Sequence, residues 1–76
     1  MITVKLYGLL RLDSGIKERQ MEAATLKQVS AQLLELGLSK KDLAGCVVLV
    51  NGKQPERNQK LCSGDIVQLL PPVAGG

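Results

Sequence analysis

The chain has no histidine, no tryptophan and no phenylalanine, and Tyr7 is its one aromatic residue. Without histidine it lacks the usual neutral-pH proton shuttle and the commonest nitrogen ligand for a metal. Cys46 and Cys62 are too few and too far apart to frame a metal site. Each is expected as a small buried hydrophobe, not as a ligand or half of a disulfide. Missing aromatics also remove the stacking platforms that single-stranded nucleic acids use. No run approaches the roughly eighteen apolar residues of a membrane span. Met1-Ile2-Thr3-Val4-Lys5 does not have a signal-peptide layout, so a cytoplasmic protein is expected.

Charge is modest as well. Ten Lys and Arg against seven Asp and Glu leave a net charge of +3 and a pI near 9.1. The cations are scattered, whereas nucleic-acid binding calls for a clustered stripe. An acidic protein surface is the better match as a partner. There is no paired-carboxylate motif and no phosphate-cradling glycine loop, so the chain offers no acid, base or nucleotide site of its own.

What it does have is aliphatic. Seventy-six residues, 45% of them hydrophobic, make one domain over residues 1–76 with a single small core. Fourteen leucines supply most of its volume, enough to hold one helix against one sheet. Ile2, Val4 and Leu6 alternate with Thr3, Lys5 and Tyr7, the period of a strand with one buried face, and Gly8 ends it. The stretch from Leu9 to Gly15 reads as a turn-rich link with room for a helical turn. Ile16 to Glu22 is a weaker strand anchored by Ile16 and Met21, and its charges mark it as an edge.

Thr25-x-x-Gln28 is a capping box, after which Leu26, Val29, Leu33 and Leu34 recur at helical spacing as far as Gly37. Ser39-x-x-Asp42 signals a shorter helical turn closed by Gly45. Cys46 to Val50 is a continuous apolar run that predicts a well-buried strand, and Asn51-Gly52 predicts a tight hairpin turn. The polar segment from Lys53 to Lys60, with Pro55, predicts a short strand or an irregular loop. Ser63-Gly64-Asp65 then launches a last strand through Ile66, Val67, Leu69 and Leu70. Pairing the first and last strands side by side, with the helix across one face, is the economical packing. That is an α+β, β-grasp or ubiquitin-like arrangement, with a mixed sheet of four to five strands.

Residues 71–76 read as an extended tail. Pro71 and Pro72 each remove a backbone donor, stop the ladder at Leu70 and hold the chain in an extended direction. Val73, Ala74, Gly75 and Gly76 would reach roughly 13 Å further if fully extended. A slim Gly-Gly carboxylate on a stiff stalk suits entry into another protein's pocket. If that carboxylate is the reacting group, glycine is what the chemistry requires, because a neighbouring Cβ would hinder attack on a phosphate and widen the channel. Carboxylates are poor acyl donors, so the expected activation is an acyl-adenylate made by a separate ATP-using enzyme.

Length, element order, Val50-Asn51-Gly52, Ser63-Gly64-Asp65 and the ending Leu70-Pro71-Pro72-Val73-Ala74-Gly75-Gly76 together resemble the MoaD/ThiS group of ubiquitin-like sulfur carriers. The Pro-Pro-Val-x-Gly-Gly ending looks like the MoaD branch, and Arg11 is a further match. The resemblance implies that an adenylating enzyme of the ubiquitin-activating type activates Gly76 with ATP. A sulfur donor then makes a C-terminal thiocarboxylate, which delivers sulfur within molybdopterin synthase. No cofactor would be bound by the chain itself. Gly75 and Gly76 would carry the chemistry. Arg11, Leu69, Leu70, Pro71, Pro72, Val73 and Ala74 would meet the partners, among them the synthase large subunit. The face of the sheet opposite the helix, with Leu9, Leu10 and Arg11, would complete the docking surface. Two departures, Leu69 and Leu70 where aromatic residues are common and Leu12 where an acid is common, leave the docking partner open. Alternatives at this level are a carrier for thiazole, tRNA or cysteine sulfur, a protein modifier joined through Gly76, and a binding module with an inert tail.

Overall fold

Alternation of buried and half-exposed residues in Ile2–Leu6 makes the first strand, β1, the inner member of a mixed sheet. We describe a computed structural model, in which residues 1–72 are described. After β1 come α1 (Gly8–Ser14), β2 (Glu18–Met21), α2 (Leu26–Glu35), α3 (Lys40–Gly45), β3 (Val47–Val50) and β4 (Ile66–Leu70). Among the described residues the sheet has four strands in the order β2-β1-β4-β3. β1 runs parallel to β4 and antiparallel to β2, and β3 runs antiparallel to β4. The two central strands are therefore the first and the last, and β2 lies at an edge as its charges foretold.

Register decides what the core receives. Val4 lies opposite Val67 and Leu6 opposite Leu69, so these four side chains share the inner face. Val4 and Val67 are fully buried. Ile2 with Met21, and Val50 beside Val67, extend the same row. α2 lays Val29 and Leu33 onto it, while Leu10, Leu38 and Leu61 close the margins. Leu34, expected on the apolar stripe, is instead 41% exposed on the flank of the helix.

The cap of α2 is a variant of the box in its sequence. Thr25 Oγ1 accepts from the Gln28 amide at 3.2 Å, but Gln28 Oε1 accepts from the Ala24 amide at 2.6 Å instead of from that of Thr25. The amides of Ala24, before the helix, and of Gln28, in its first turn, are thereby satisfied. Ser39 caps α3 by accepting from the amides of Lys41 and Asp42. Asn51 and Gly52 both have positive φ, 53° and 80°, which makes the hairpin a type I′ turn.

Other expectations are corrected too. The link after β1 is a full helix, α1, of which Leu10 is the buried member. β3 is an edge strand with Val50 fully buried and Val47 43% exposed, because α2 covers just one face of the sheet. Cys62 is exposed, whereas Cys46 is half-buried and packs against the core. Of the two forms expected for the 53–60 segment, the irregular loop is the one found. Isolated bridges from Lys53 to Val50 and from Lys60 to Thr25 hold it, and Leu61 is its anchor in the core.

Candidate functional site

The site begins where β4 stops being a strand. Its partner β1 ends one residue earlier, and the Tyr7 amide donates to the Leu69 carbonyl at 3.1 Å as the last bond on that side. On the other side Leu70 lies opposite Val47. Pro71 then rests on Gly8. A Cβ built on Gly8 would come within 2.7 Å of Pro71 Cγ, and Gly8 has φ of +60°. The absent side chain thus forms a seat for the proline and fixes the direction in which the chain leaves the sheet. Pro71 is half-buried and Pro72 is exposed. Val73, Ala74, Gly75 and Gly76, to which the sequence assigns the partner contacts and the chemistry, lie outside the described residues.

Two of the expected contact residues turn inward. Leu69 is 3% exposed and Leu10 is 6% exposed, both in the core cluster. Alternation along β4 is the reason: Val67 and Leu69 point towards α2, which leaves Ile66, Gln68 and Leu70 on the open face. Leu9 is 66% exposed, and Arg11 on α1 is exposed too. Gly8 and Leu9 lie beside Pro71 and Pro72 at the start of the tail, whereas Arg11 lines a separate pocket with Tyr7 and Lys17.

The open face of the sheet divides at β4. Towards β3 it is apolar, with Val47 and Ile66 exposed and Leu49 and Leu70 half-buried. Towards β2 it is polar. Gln68 donates from Nε2 to the Tyr7 hydroxyl at 3.0 Å, and Lys5 lies 3.9 Å from Glu18. These residues carry no motif; their common face follows from strand parity, the signal by which a sequence reading finds them.

Behind Pro71 and Pro72 a groove of about 260 Å³ runs between α1 and α3, floored by Leu10 and Cys46. Burial pushes the Cys46 thiol above its ordinary pKa, and Sγ donates to the Leu43 carbonyl at 3.0 Å. A protonated, hydrogen-bonded thiol is a poor nucleophile, so this cysteine serves as wall, not as reagent. Among the described residues the arrangement offers a seat for the chain where it leaves β4 and an open sheet face with an apolar and a polar half.

The profile of the ThiS family matches residues 4–76. Comparison with curated protein sequences gives no match. Among solved structures, the chain is similar to a chain in the complex of subunits 1 and 2 of molybdopterin-converting factor from Helicobacter pylori 26695. That pair has 30% identity and a TM-score of 0.78, with 99% of this chain and 97% of the other covered. It is similar also to Urm1 of Sulfolobus solfataricus, at 30% identity and TM-score 0.71, covering 91% and 97%. SAMP1 of Haloferax volcanii, at 23% identity and TM-score 0.82 over 99% and 98%, shows the same β-grasp fold. With a profile that spans nearly its whole length and a ubiquitin-like fold, the chain belongs to the ThiS family of ubiquitin-like sulfur carriers and modifiers.

Proposed function

We propose that the chain is a sulfur carrier for molybdopterin synthesis, working as the small subunit of a molybdopterin synthase. The observation that carries this reading is the end-to-end likeness, at 30% identity, to a chain of the molybdopterin-converting factor complex. The Pro71-Pro72-Val73-Ala74-Gly75-Gly76 signature supports the same branch. In the reaction, the Gly76 carboxylate attacks the α-phosphorus of ATP on an adenylating enzyme and pyrophosphate leaves. Sulfide from a donor then adds to the acyl carbon, and AMP departs to give the thiocarboxylate. The carrier supplies the reacting carboxyl group and the partners supply acid, base and nucleotide site.

The seat of Pro71 on Gly8 supports a role for the tail as a directed arm, since a defined exit lowers the ordering cost of threading it into a partner. The apolar half of the open face, Val47, Leu49, Ile66 and Leu70, has the character of an interface core.

Intact mass of the protein from its own host, or after incubation with the host's adenylating enzyme, ATP and a sulfur source, tests the reading. The expected result is a gain equal to sulfur replacing oxygen, absent when Gly76 is deleted. Adducts in which Gly76 is joined to lysine side chains, with no thiocarboxylate, would replace the carrier by a modifier. Charging without sulfur transfer to a pterin precursor held by the host's synthase large subunit would keep the carrier and refute the molybdopterin assignment.

A further inference from the structure

Asn51 and Gly52 do more than turn the chain. In an Asn-Gly pair the asparagine loses its side-chain nitrogen most readily, because no side chain on the next residue hinders attack by that residue's amide. Both residues are exposed to water, and the Gly52 amide takes part in no backbone hydrogen bond among the described residues. The nucleophile is therefore free. The group it would attack is not. Asn51 Nδ2 is held by Asp65 Oδ1 and Asn51 Oδ1 by the Ile66 amide, so the carboxamide is drawn across to the start of β4. Asp65 is fixed in turn, since its Oδ2 accepts from the Cys62 amide. Ring closure needs the carboxamide to turn its Cγ onto the Gly52 nitrogen, and two bonds across the hairpin resist that turn. The backbone adds to the restraint, because Val50 and Lys53 exchange both amide bonds around the turn, at 2.8 and 3.1 Å.

We propose that Asn51 is a latent modification site, locked by Asp65 and Ile66 in the folded chain and converted irreversibly to aspartate or isoaspartate when that lock opens. The step needs water and no other reagent. The Gly52 nitrogen gives its proton to solvent and bonds to Asn51 Cγ; the Cγ–Nδ2 bond breaks, and the nitrogen leaves as ammonia with a proton taken from water. Water then opens the cyclic imide, and no atom is oxidised or reduced. Attack at the side-chain carbonyl gives aspartate, and attack at the main-chain carbonyl gives isoaspartate. Either product keeps the lock from closing again. Aspartate puts a carboxylate oxygen where Nδ2 donated, so two acceptors face each other at 3.0 Å with no proton between them. Isoaspartate lengthens the main chain by a methylene inside a tight turn across which Val50 and Lys53 must still meet. Because the Asn51 amide and Oδ1 both hold Ile66, the change is felt at the first residue of β4, the strand that leads to Pro71. None of this depends on the sulfur-carrier reading.

The chain's other asparagine, Asn58, is followed by Gln59 and serves as an internal control. The full chain is incubated at mildly alkaline pH, with and without denaturing guanidinium chloride, then digested, and each asparagine peptide is weighed for NH2 replaced by OH. In the denaturant Asn51 should convert well ahead of Asn58. In the native chain its rate should fall roughly tenfold to a hundredfold, as two side-chain hydrogen bonds allow. Asp65→Ala should restore much of that rate in the folded chain. Val29→Ala, which thins the core on α2 and leaves the lock in place, should not. Asn51→Asp makes one product directly and should lower the unfolding midpoint in denaturant. Adding Asp65→Asn to it should recover part of the loss, since a carboxamide at position 65 can again donate across the hairpin. Equal Asn51 rates in the native and unfolded chain overturn the proposal. So do equal rates in Asp65→Ala and Val29→Ala, which would place the protection in global folding and not in this contact. An unchanged midpoint in Asn51→Asp, or a double variant no more stable than Asn51→Asp alone, overturns the claim that conversion keeps the lock open.

Discussion

Asn51 Nδ2 donates to Asp65 Oδ1 at 3.0 Å, and this contact joins the hairpin after β3 to the turn that launches β4. Each residue has a second commitment. Asn51 Oδ1 accepts from the Ile66 amide at 2.9 Å, and Asp65 Oδ2 accepts from the Cys62 amide at 2.8 Å. Asn51 also sits at φ of 53°, where asparagine is better tolerated than most residues. Asn51→Gly keeps that conformation and removes the side-chain bonds, so its expected cost in urea unfolding is about 1–2 kcal/mol. Asn51→Ala should cost about 1 kcal/mol more, since it adds left-handed strain.

The same contact sets an acid sensitivity. The Cys62 amide, and after it the Asn51 side chain, hold the Asp65 carboxyl below its ordinary pKa of 3.8. A depressed folded-state pKa stabilises the fold fully above the unfolded value, and that contribution is lost as pH falls through the folded one. Stability should thus decline from about pH 4 downward. Asp65→Asn should remove part of that decline and leave the slope above it unchanged. Unfolding midpoints followed between neutral and strongly acid pH measure the difference between the two chains.

Leu33 and Leu34 are neighbours with opposite fates. Leu33 is fully buried against the sheet, and Leu34 is 41% exposed. Leu33→Ala should cost about 2–5 kcal/mol through lost transfer energy and a cavity. Leu34→Ala, on the helix flank, should change stability by roughly 0.5 kcal/mol or less. Denaturant midpoints with unchanged slopes would measure both.

The parts of this fold that could be read from the chain are those where one signal had no competitor. β1 alternates cleanly, α2 has a capping residue and a helical stripe, and Asn51-Gly52 has one good turn to make. α1 was obscured because Gly8 is a poor helix former and Leu9 and Leu12 stay exposed, so its apolar residues show no helical face. β3 was placed but its burial was overestimated, because an apolar run does not say whether both faces will be covered. Leu69 is given a partner contact by the family resemblance alone, and the residues around it do not contradict that. Ile66, Val67, Leu69 and Leu70 put apolar groups on both faces of β4, and only pairing with β1 settles the parity. The tail's proline stop was plain in the sequence, but its seat on Gly8 depends on two residues far apart in the chain.

The two cysteines should differ in reactivity. Cys62 is exposed, while the Cys46 thiol is half-buried, bonded to the Leu43 carbonyl and raised in pKa by burial. Thiolate is the reactive form. An aromatic disulfide reagent should label Cys62 quickly and Cys46 on the order of tenfold more slowly. In Cys62→Ser the remaining slow reaction should keep accelerating at pH values where an ordinary thiol has levelled off. Equal rates for the two thiols would mean that the groove between α1 and α3 opens readily.

Gly8 and Gly15 separate backbone strain from contact with the tail. Both have positive φ, +60° and +73°, but a Cβ on Gly15 meets nothing within 4 Å, whereas on Gly8 it meets Pro71. Gly15→Ala should therefore cost about 1–2 kcal/mol, the left-handed penalty alone. Gly8→Val carries that penalty and also drives Pro71 off its seat, so the chain must leave β4 along another path. Amide shifts in a heteronuclear spectrum should show the distinction. Gly15→Ala should perturb the end of α1 and leave Leu70 in place, while Gly8→Val should move Tyr7, Leu69 and Leu70 together. Charging by the adenylating enzyme should then be impaired in Gly8→Val well beyond its loss of stability, with KM rising and the melting temperature still above assay temperature. Equal charging of the two variants would mean that the enzyme, and not the seat on Gly8, sets the path of the tail.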